Sequence, residues 1–196
     1  MRNQIEENLR FLCDESRMLC GMTAAWGTGR ESEWAQYGRA QELAAPGFTP
    51  AERPLVPDSL YDLASLTKLF TAVAAQCLVQ AGKLSLDEYA GVIDPRFVHL
   101  KQVTVFDILS FRVSLQSPGR IDDAPTREEG LRRLFAVSVC PTPAVRVYSD
   151  INAMVIKYMI EAKTGLPFYD ALNRLILAPC GMTETFSVVP KDLLPR

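Results

Sequence analysis

Tyr61-Asp62-Leu63-Ala64-Ser65-Leu66-Thr67-Lys68-Leu69-Phe70 sets a serine three residues ahead of a lysine. From Ser65 onward, apolar residues fall at Leu66, Leu69, Phe70, Val73, Cys77, Leu78 and Ala81, which is helical spacing. Gly82 then stands where a C-terminal cap is expected. Residues three apart share one surface of a helix, so the Ser65 hydroxyl and the Lys68 amine can meet. A serine hydroxyl is a weak nucleophile at neutral pH and needs a neighbouring base. The run around Lys68 carries no other charge until Lys83. Burial of Lys68 in that run is therefore expected to lower its pKa and suit it to the task. The plainer reading of Ser65 is a cap or first-turn residue, and the spacing alone does not separate the two.

Composition narrows the partners. The chain has 196 residues, 48% of them hydrophobic and 22% charged, with a net charge of −2. That suits one globular domain, or one with a lobe missing. Acidic and basic residues are interspersed, so neither a nucleic acid nor an anionic membrane is expected as a partner. Five cysteines (Cys13, Cys20, Cys77, Cys140, Cys180) are scattered without a Cys-x-x-Cys pair, and His99 is the sole histidine. No metal and no cofactor is expected. An odd set of thiols favours a reducing compartment. The N-terminus is too acidic for a signal peptide, and no apolar run reaches the roughly 20 residues that span a bilayer. The expectation is a cytoplasmic protein.

Taken in order, residues 3–13 read as an amphipathic helix with Ile5, Leu9 and Leu12 on one side. Residues 18–26 read as a strand. Gly27-Thr28-Gly29-Arg30 is a turn, and Glu33 to Gly38 alternates as the returning strand of a hairpin. Residues 40–58 hold four prolines and no period, and read as a loop. After the Ser65 helix, residues 91–100 look irregular. Thr104 caps a helix to about Leu109. Residues 111–125 read as a loop. Thr126-Arg127-Glu128-Glu129 opens a further helix to about Phe135. Val145 to Ser149 reads as extended. A helix runs from about Ile151 to Lys163 with Ile151, Met154, Val155, Tyr158 and Met159 inward, and another spans Pro167 to Leu177. A lone hairpin is marginal in water, so some element should cover or pair with it.

Tyr148-Ser149-Asp150 precedes the long helix. Tyr148 could face Ser65 and Lys68 and relay a proton; equally, Asp150 could cap the helix while Tyr148 packs. Ser65-x-Thr67-Lys68 followed by Tyr148-Ser149-Asp150, and by Glu161-Ala162-Lys163-Thr164-Gly165-Leu166-Pro167-Phe168, resembles the serine β-lactamase-related family. That family includes class C β-lactamases, D-alanyl-D-alanine carboxypeptidases and family VIII esterases. Flanking phrases agree: Val56-Pro57-Asp58-Ser59-Leu60 before the serine, Gly82-Lys83-Leu84-Ser85-Leu86-Asp87 after its helix, and Ala178-Pro179-Cys180-Gly181-Met182 near the end.

The resemblance implies an α/β fold of the β-lactamase/transpeptidase type, with an α/β lobe, a helical lobe and the site between them. Residues 1–60 would supply the N-terminal helix, hairpin and connecting loop, and residues 61–190 the nucleophile helix and helical lobe. By the same resemblance Ser65 is the acylated nucleophile, Lys68 takes or shuttles its proton, and Tyr148 is the base toward Ser65 and the leaving group. Asp150 stands where the family often has Asn. An ionised Asp only accepts hydrogen bonds, which weakens the case for an amide substrate. Asp150 could instead pair with Lys68 and hold it charged, which favours Tyr148 as the base.

The third family motif, Lys-Thr-Gly or His-x-Gly on a late strand, has no counterpart in place. Lys163-Thr164-Gly165 follows a helix directly and reads as a C-cap. The segment 106–115 also lacks the His-Thr-Ser-Gly common there. This 196-residue chain is therefore expected to be a partial β-lactamase-like domain, without the C-terminal sheet strands and final helix. Missing one oxyanion-hole donor costs about 2.7–4 kcal/mol, or roughly 10²–10³ in rate. The implied function is a serine hydrolase acting through an acyl-enzyme on a small ester, amide or β-lactam, impaired in this form. The alternative is a catalytically silent relative that binds a ligand or partner chain through the inter-lobe cleft. The open hairpin edge could pair with the missing segment or another chain.

Overall fold

A computed structural model describes residues 1–29, 31–40, 54–141 and 148–193. Most of the loop read over residues 40–58, and the extended reading of Val145 to Val147, lie outside the described residues. The chain divides into two units, Met1–Asp62 with Val189–Arg196, and Leu63–Val188.

In the first unit, α1 (Arg2–Arg10) buries Leu9 and joins Arg2 to Glu6 one turn along at 3.0 Å. It continues into a wide π-type turn over Phe11–Glu15. Strands β1 (Gly21–Gly27) and β2 (Ser32–Gly38) pair antiparallel, with Ala24 opposite Ala35. Thr28 N–H donates to the Glu31 carbonyl at 2.8 Å and closes the hairpin. Gly38 has φ +92°, and a Cβ there would lie 2.4 Å from the Cys20 carbonyl oxygen, so only glycine fits. The hairpin's need for a cover is met in part by α1, which packs against β2. The Tyr37 hydroxyl donates to Asp14 at 2.5 Å, and the Arg10 guanidinium lies 5.7 Å from the Tyr37 ring centre.

The second unit begins with a 3₁₀ turn, Ala64–Leu66, that runs straight into α2 (Thr67–Gln80). Gly82, at φ +65°, ends it in a Schellman motif. Its N–H bonds to the Val79 carbonyl at 3.0 Å, and Lys83 N–H to Leu78 at 2.9 Å. A single turn, α3 (Ala90–Ile93), occupies part of the stretch read as irregular. In α4 (Val105–Leu109) Thr104 and Asp107 cap each other reciprocally.

Strand β3 (Leu115–Gln116) lies in a stretch read as loop, and pairs with β4 (Ser138–Val139) across the intervening helix α5 (Arg127–Phe135). Two residues are too few to show a period, so this long-range pairing left no local trace. Thr126 caps α5 by accepting from Glu129 N–H at 3.2 Å. The long helix α6 (Asp150–Thr164) and the short α7 (Phe168–Leu172) complete the unit.

The core forms where α2, α4 and α6 meet. Val155, Ile156, Met159 and Ile160 of α6 are buried together with Ala74, Ala75 and Leu78 of α2. Two consecutive alanines let the helix backbones approach closely, as small residues do at a helix contact. Phe97, Phe135 and Tyr158 add an edge-to-face aromatic cluster with centroids 5.1–6.3 Å apart.

The buried face of α2 corrects the sequence reading. Leu66, Leu69 and Val73 are 56%, 63% and 49% exposed, while Thr71, Ala74, Ala75 and Leu78 are buried. The helix is apolar nearly all round, so its periodicity could not choose a face. Asn152 and Ile156, missed on α6, are also buried. Leu78→Ala is expected to lower unfolding free energy by about 2–5 kcal/mol. Val73→Ala should change it by less than about 0.5 kcal/mol. Urea melts of both variants check this, and equal losses would place the buried face wrongly.

Candidate active site

Ser65 sits in the 3₁₀ turn that opens α2, and its predecessor Ala64 has φ +41°. A left-handed backbone at a residue with a Cβ costs about 1–2 kcal/mol. Such strain persists only where the surroundings hold it, and it is characteristic of functional turns. One turn along, Lys68 Nζ donates to Ser65 Oγ at 3.0 Å. The meeting of these two side chains expected from their spacing is present.

Tyr148 and Asp150 arrive from the N-terminal end of α6. Lys68 Nζ forms an ion pair with Asp150 Oδ1. The Tyr148 hydroxyl faces Ser65 and Lys68 closely enough for both to act on its pKa, and the ammonium lies 4.8 Å from the Tyr148 ring centre. The structure thus brings together all four residues singled out in the sequence. Ser149, not Asp150, caps α6: its Oγ accepts from Ile151 N–H at 3.2 Å. Asp150 stands one residue inside the helix, which leaves its carboxylate to Lys68.

These contacts set the charge states. Lys68's pKa is raised, first by its hydrogen bond to Asp150 and then by that to Tyr148; desolvation opposes and loses. That reverses the expectation that burial would lower it. The Lys68 side chain is only 16% exposed, but a carboxylate and a phenol oxygen outweigh the lost water. Tyr148's pKa is lowered, first by its hydrogen bond with Ser65 and then by Lys68. An ammonium has three N–H donors. Here they face Ser65 Oγ, Asp150 Oδ1 and the Tyr148 phenol.

Two further residues shape the site and were not found in the sequence. Phe111 stacks on Tyr148 with centroids 5.6 Å apart and planes at 28°. Its backbone has φ +53° and fills the left-handed slot of a Schellman motif that ends α4. Phe111 N–H bonds to the Ile108 carbonyl at 3.2 Å, and Arg112 N–H to Asp107 at 2.9 Å. The signal for Phe111 was the departure of 106–115 from the family's usual segment. The buried Asn152 donates to the Ile108 and Val113 carbonyls at 3.0 and 3.4 Å and straps the same turn to α6. Its Oδ1 is buried without a hydrogen-bond partner.

Lys163-Thr164-Gly165 lies at the far end of α6. Gly165 is its left-handed C-cap at φ +69°, and Lys163 pairs with Glu88. Among the described residues, no group of three or more His, Cys, Asp or Glu could hold a metal ion, and no helix is long and apolar enough to cross a membrane.

The charge assignment is measurable without any substrate. Tyr148 should ionise below the ordinary tyrosine value of 10.0. Lys68→Ala removes a donor and a positive charge that favour the phenolate, so it should move that midpoint upward. Tyrosinate absorbance, with Tyr148→Phe subtracted, reads the midpoint; an unmoved or lowered value would contradict the assignment.

Known proteins share the fold around these residues. A family model described as Beta-lactamase matches residues 14–196. Esterase EstB of Burkholderia gladioli is 29% identical over 170 residues, covering 76% of this chain and 43% of that protein. A β-lactamase of Pseudomonas fluorescens is 21% identical over 189 residues, covering 88% and 47%. Among solved structures, a class C β-lactamase superposes with a TM-score of 0.79 at 22% identity, over 98% of this chain and 53% of that one. D-amino acid amidase from Ochrobactrum anthropi SV3, in complex with L-phenylalanine amide, superposes with a TM-score of 0.74 at 24% identity, over 96% and 56%. The fold is therefore β-lactamase/transpeptidase-like, an α/β type that is mostly helical in this chain. The chain spans about half the length of the curated relatives it matches. With a family model matched along nearly its whole length, the chain belongs to the β-lactamase family.

Proposed function

We propose that this chain carries the nucleophile and proton-transfer groups of a serine hydrolase that forms an acyl-enzyme at Ser65. One observation carries the reading: Lys68 Nζ donates to Ser65 Oγ and pairs with Asp150, with the Tyr148 ring centre 4.8 Å from the ammonium. A lysine held protonated with its donors engaged has no lone pair to offer. A phenol of lowered pKa that faces Ser65 does, once ionised. Tyr148 is thus the base. Its phenolate takes the Ser65 hydroxyl proton as Oγ attacks the carbonyl carbon. The tetrahedral oxyanion collapses, the bond to the leaving oxygen or nitrogen breaks, and Tyr148 returns the proton to it. Water, deprotonated in the same way, then cleaves the Ser65 ester.

Lys68 and Asp150 are positioning residues in this scheme. Lys68 stabilises the phenolate, and Asp150 keeps Lys68 charged. For the oxyanion we assign one donor, the Ser65 N–H in the opening turn of its helix, where backbone donors lack intrahelical partners. Relatives named esterase, β-lactamase and amidase point to an acyl group on oxygen or nitrogen. An acceptor-only carboxylate at Asp150 cannot donate to an amide carbonyl, which inclines the reading toward esters. A cytoplasmic setting belongs to the same proposal and rests on five cysteines that are all free thiols.

A second reading has one observation behind it. The exposed apolar side chains Leu66, Leu69 and Val73 would suit a relative that binds without turnover. A small fluorophosphonate separates the two. It should add its mass to Ser65, not at all in Ser65→Ala, and about 10²–10⁴-fold more slowly in Tyr148→Phe. An intact-mass spectrum with no adduct on the folded chain would favour binding alone.

A further inference from the structure

Cys13 and Cys20, both half-buried free thiols, stand at the two ends of a closed loop in the first unit. Cys13 belongs to the π-type turn Phe11–Glu15, and Cys20 is the residue before β1. Between them the chain folds back on itself. The Leu12 carbonyl accepts from Met18 N–H at 3.0 Å and from Leu19 N–H at 3.4 Å, so the residues preceding the two cysteines are joined through their backbones. Ser16 Oγ donates to the same carbonyl at 3.0 Å. Arg17 turns the chain with φ +51°, a left-handed conformation that a residue with a Cβ holds only where its surroundings enforce it.

The hairpin sets both thiols on one face. Alternation along β1 puts Cys20 on the side of Met22 and Ala24, whose partners across the ladder are Tyr37 and Ala35. Arg39 N–H donates to the Cys20 carbonyl at 2.8 Å and carries the ladder as far as Cys20. Cys13 lies over the same side: its Sγ donates to the Tyr37 carbonyl at 3.9 Å, and the Tyr37 hydroxyl reaches the adjacent Asp14. A Cβ on Gly38 would lie 3.2 Å from Cys13 Sγ and 2.4 Å from the Cys20 carbonyl oxygen, so both cysteines crowd one glycine. Burial first, then Asp14 and then Cys20 itself, hold the Cys13 thiol above its ordinary value of 9.0.

We propose that Cys13 and Cys20 form a dithiol site that exchanges with a low-molecular-weight disulfide and closes an intramolecular Cys13–Cys20 bond. The site shares no residue with the Ser65 centre and does not depend on the acyl-enzyme reading. Because Cys13 is held in its thiol form, Cys20 makes the first attack. Its thiolate bonds to one sulfur of the oxidant, the oxidant's S–S bond breaks, and one small thiol leaves. Cys13 then gives up its proton and attacks the Cys20 sulfur of the mixed disulfide, and the second small thiol leaves. The two protein thiols lose two electrons and two protons, and the oxidant takes up both as it becomes two thiols. The backbone bonds at Leu12 hold the resolving thiol near the mixed disulfide, so the second step is intramolecular and fast. Half-buried and fed by the thiol pool, the bond is of the reversible kind that a reducing compartment permits.

The folded 196-residue chain, equilibrated with graded mixtures of oxidised and reduced glutathione and quenched in acid, tests this by mass spectrometry. Trypsin cuts after Arg10, Arg17 and Arg30, which leaves Cys13 in the peptide 11–17 and Cys20 in the peptide 18–30. Without reductant these two peptides should be recovered joined, while Cys77, Cys140 and Cys180 carry at most glutathione. Cys13→Ser should instead accumulate glutathione on Cys20 to about ten-fold the wild-type level, because nothing resolves the adduct. Recovery of the two peptides unjoined across the whole series overturns the proposal. So does an equal yield of the joined pair in urea, which would assign the pairing to nearness in sequence and not to the fold.

Discussion

A single ammonium group ties the site together. Lys68 belongs to α2, whereas Tyr148 and Asp150 sit at the start of α6, so their meeting depends on how those helices pack. Ala74 and Ala75 supply the close approach, and Val155, Met159 and Ile160 fix the register from the other side. Core packing is stiff on the scale of a methylene, so it can hold hydrogen bonds to a few tenths of an ångström. The three donors of one cation then translate that packing into an orientation of the phenol.

The balance of forces at Lys68 decides which group can take a proton. Desolvation alone would have made the amine the base, since burial disfavours its charged form. A carboxylate and a phenol oxygen within hydrogen-bonding reach reverse that balance. The same cation favours the ionised form of Tyr148, so one contact works on both partners in opposite directions. In the proposed mechanism, the roles of amine and phenol follow from the residue at position 150. A neutral side chain there would hold the lysine charged less firmly.

Local chemistry in the sequence was enough for much of this. The i, i+3 spacing of Ser65 and Lys68, the caps at Thr104 and Thr126, and the left-handed glycines Gly82 and Gly165 are all short-range signals. What failed was long-range or conformational. No periodicity could choose a buried face for an α2 that is apolar nearly all round, and a two-residue pairing such as β3 with β4 writes no pattern. The positive φ of Ala64 and Phe111 cannot be read from residue type, because both are residues that normally avoid it. The charge on Lys68 was legible only as a pair of opposed alternatives until Asp150 was placed.

The cap at Ser149 has a consequence of its own. Phenol, cap and carboxylate occupy three successive positions, 148 to 150, at a helix terminus. Termini are where helices fray first, at a fraction of the free energy of global unfolding. Opening that one turn would carry Tyr148 and Asp150 away from Lys68 while Val155 to Ile160 stayed packed. The contact of Lys68 with Tyr148 and Asp150 thus depends on the first turn of a helix whose buried residues lie further along it.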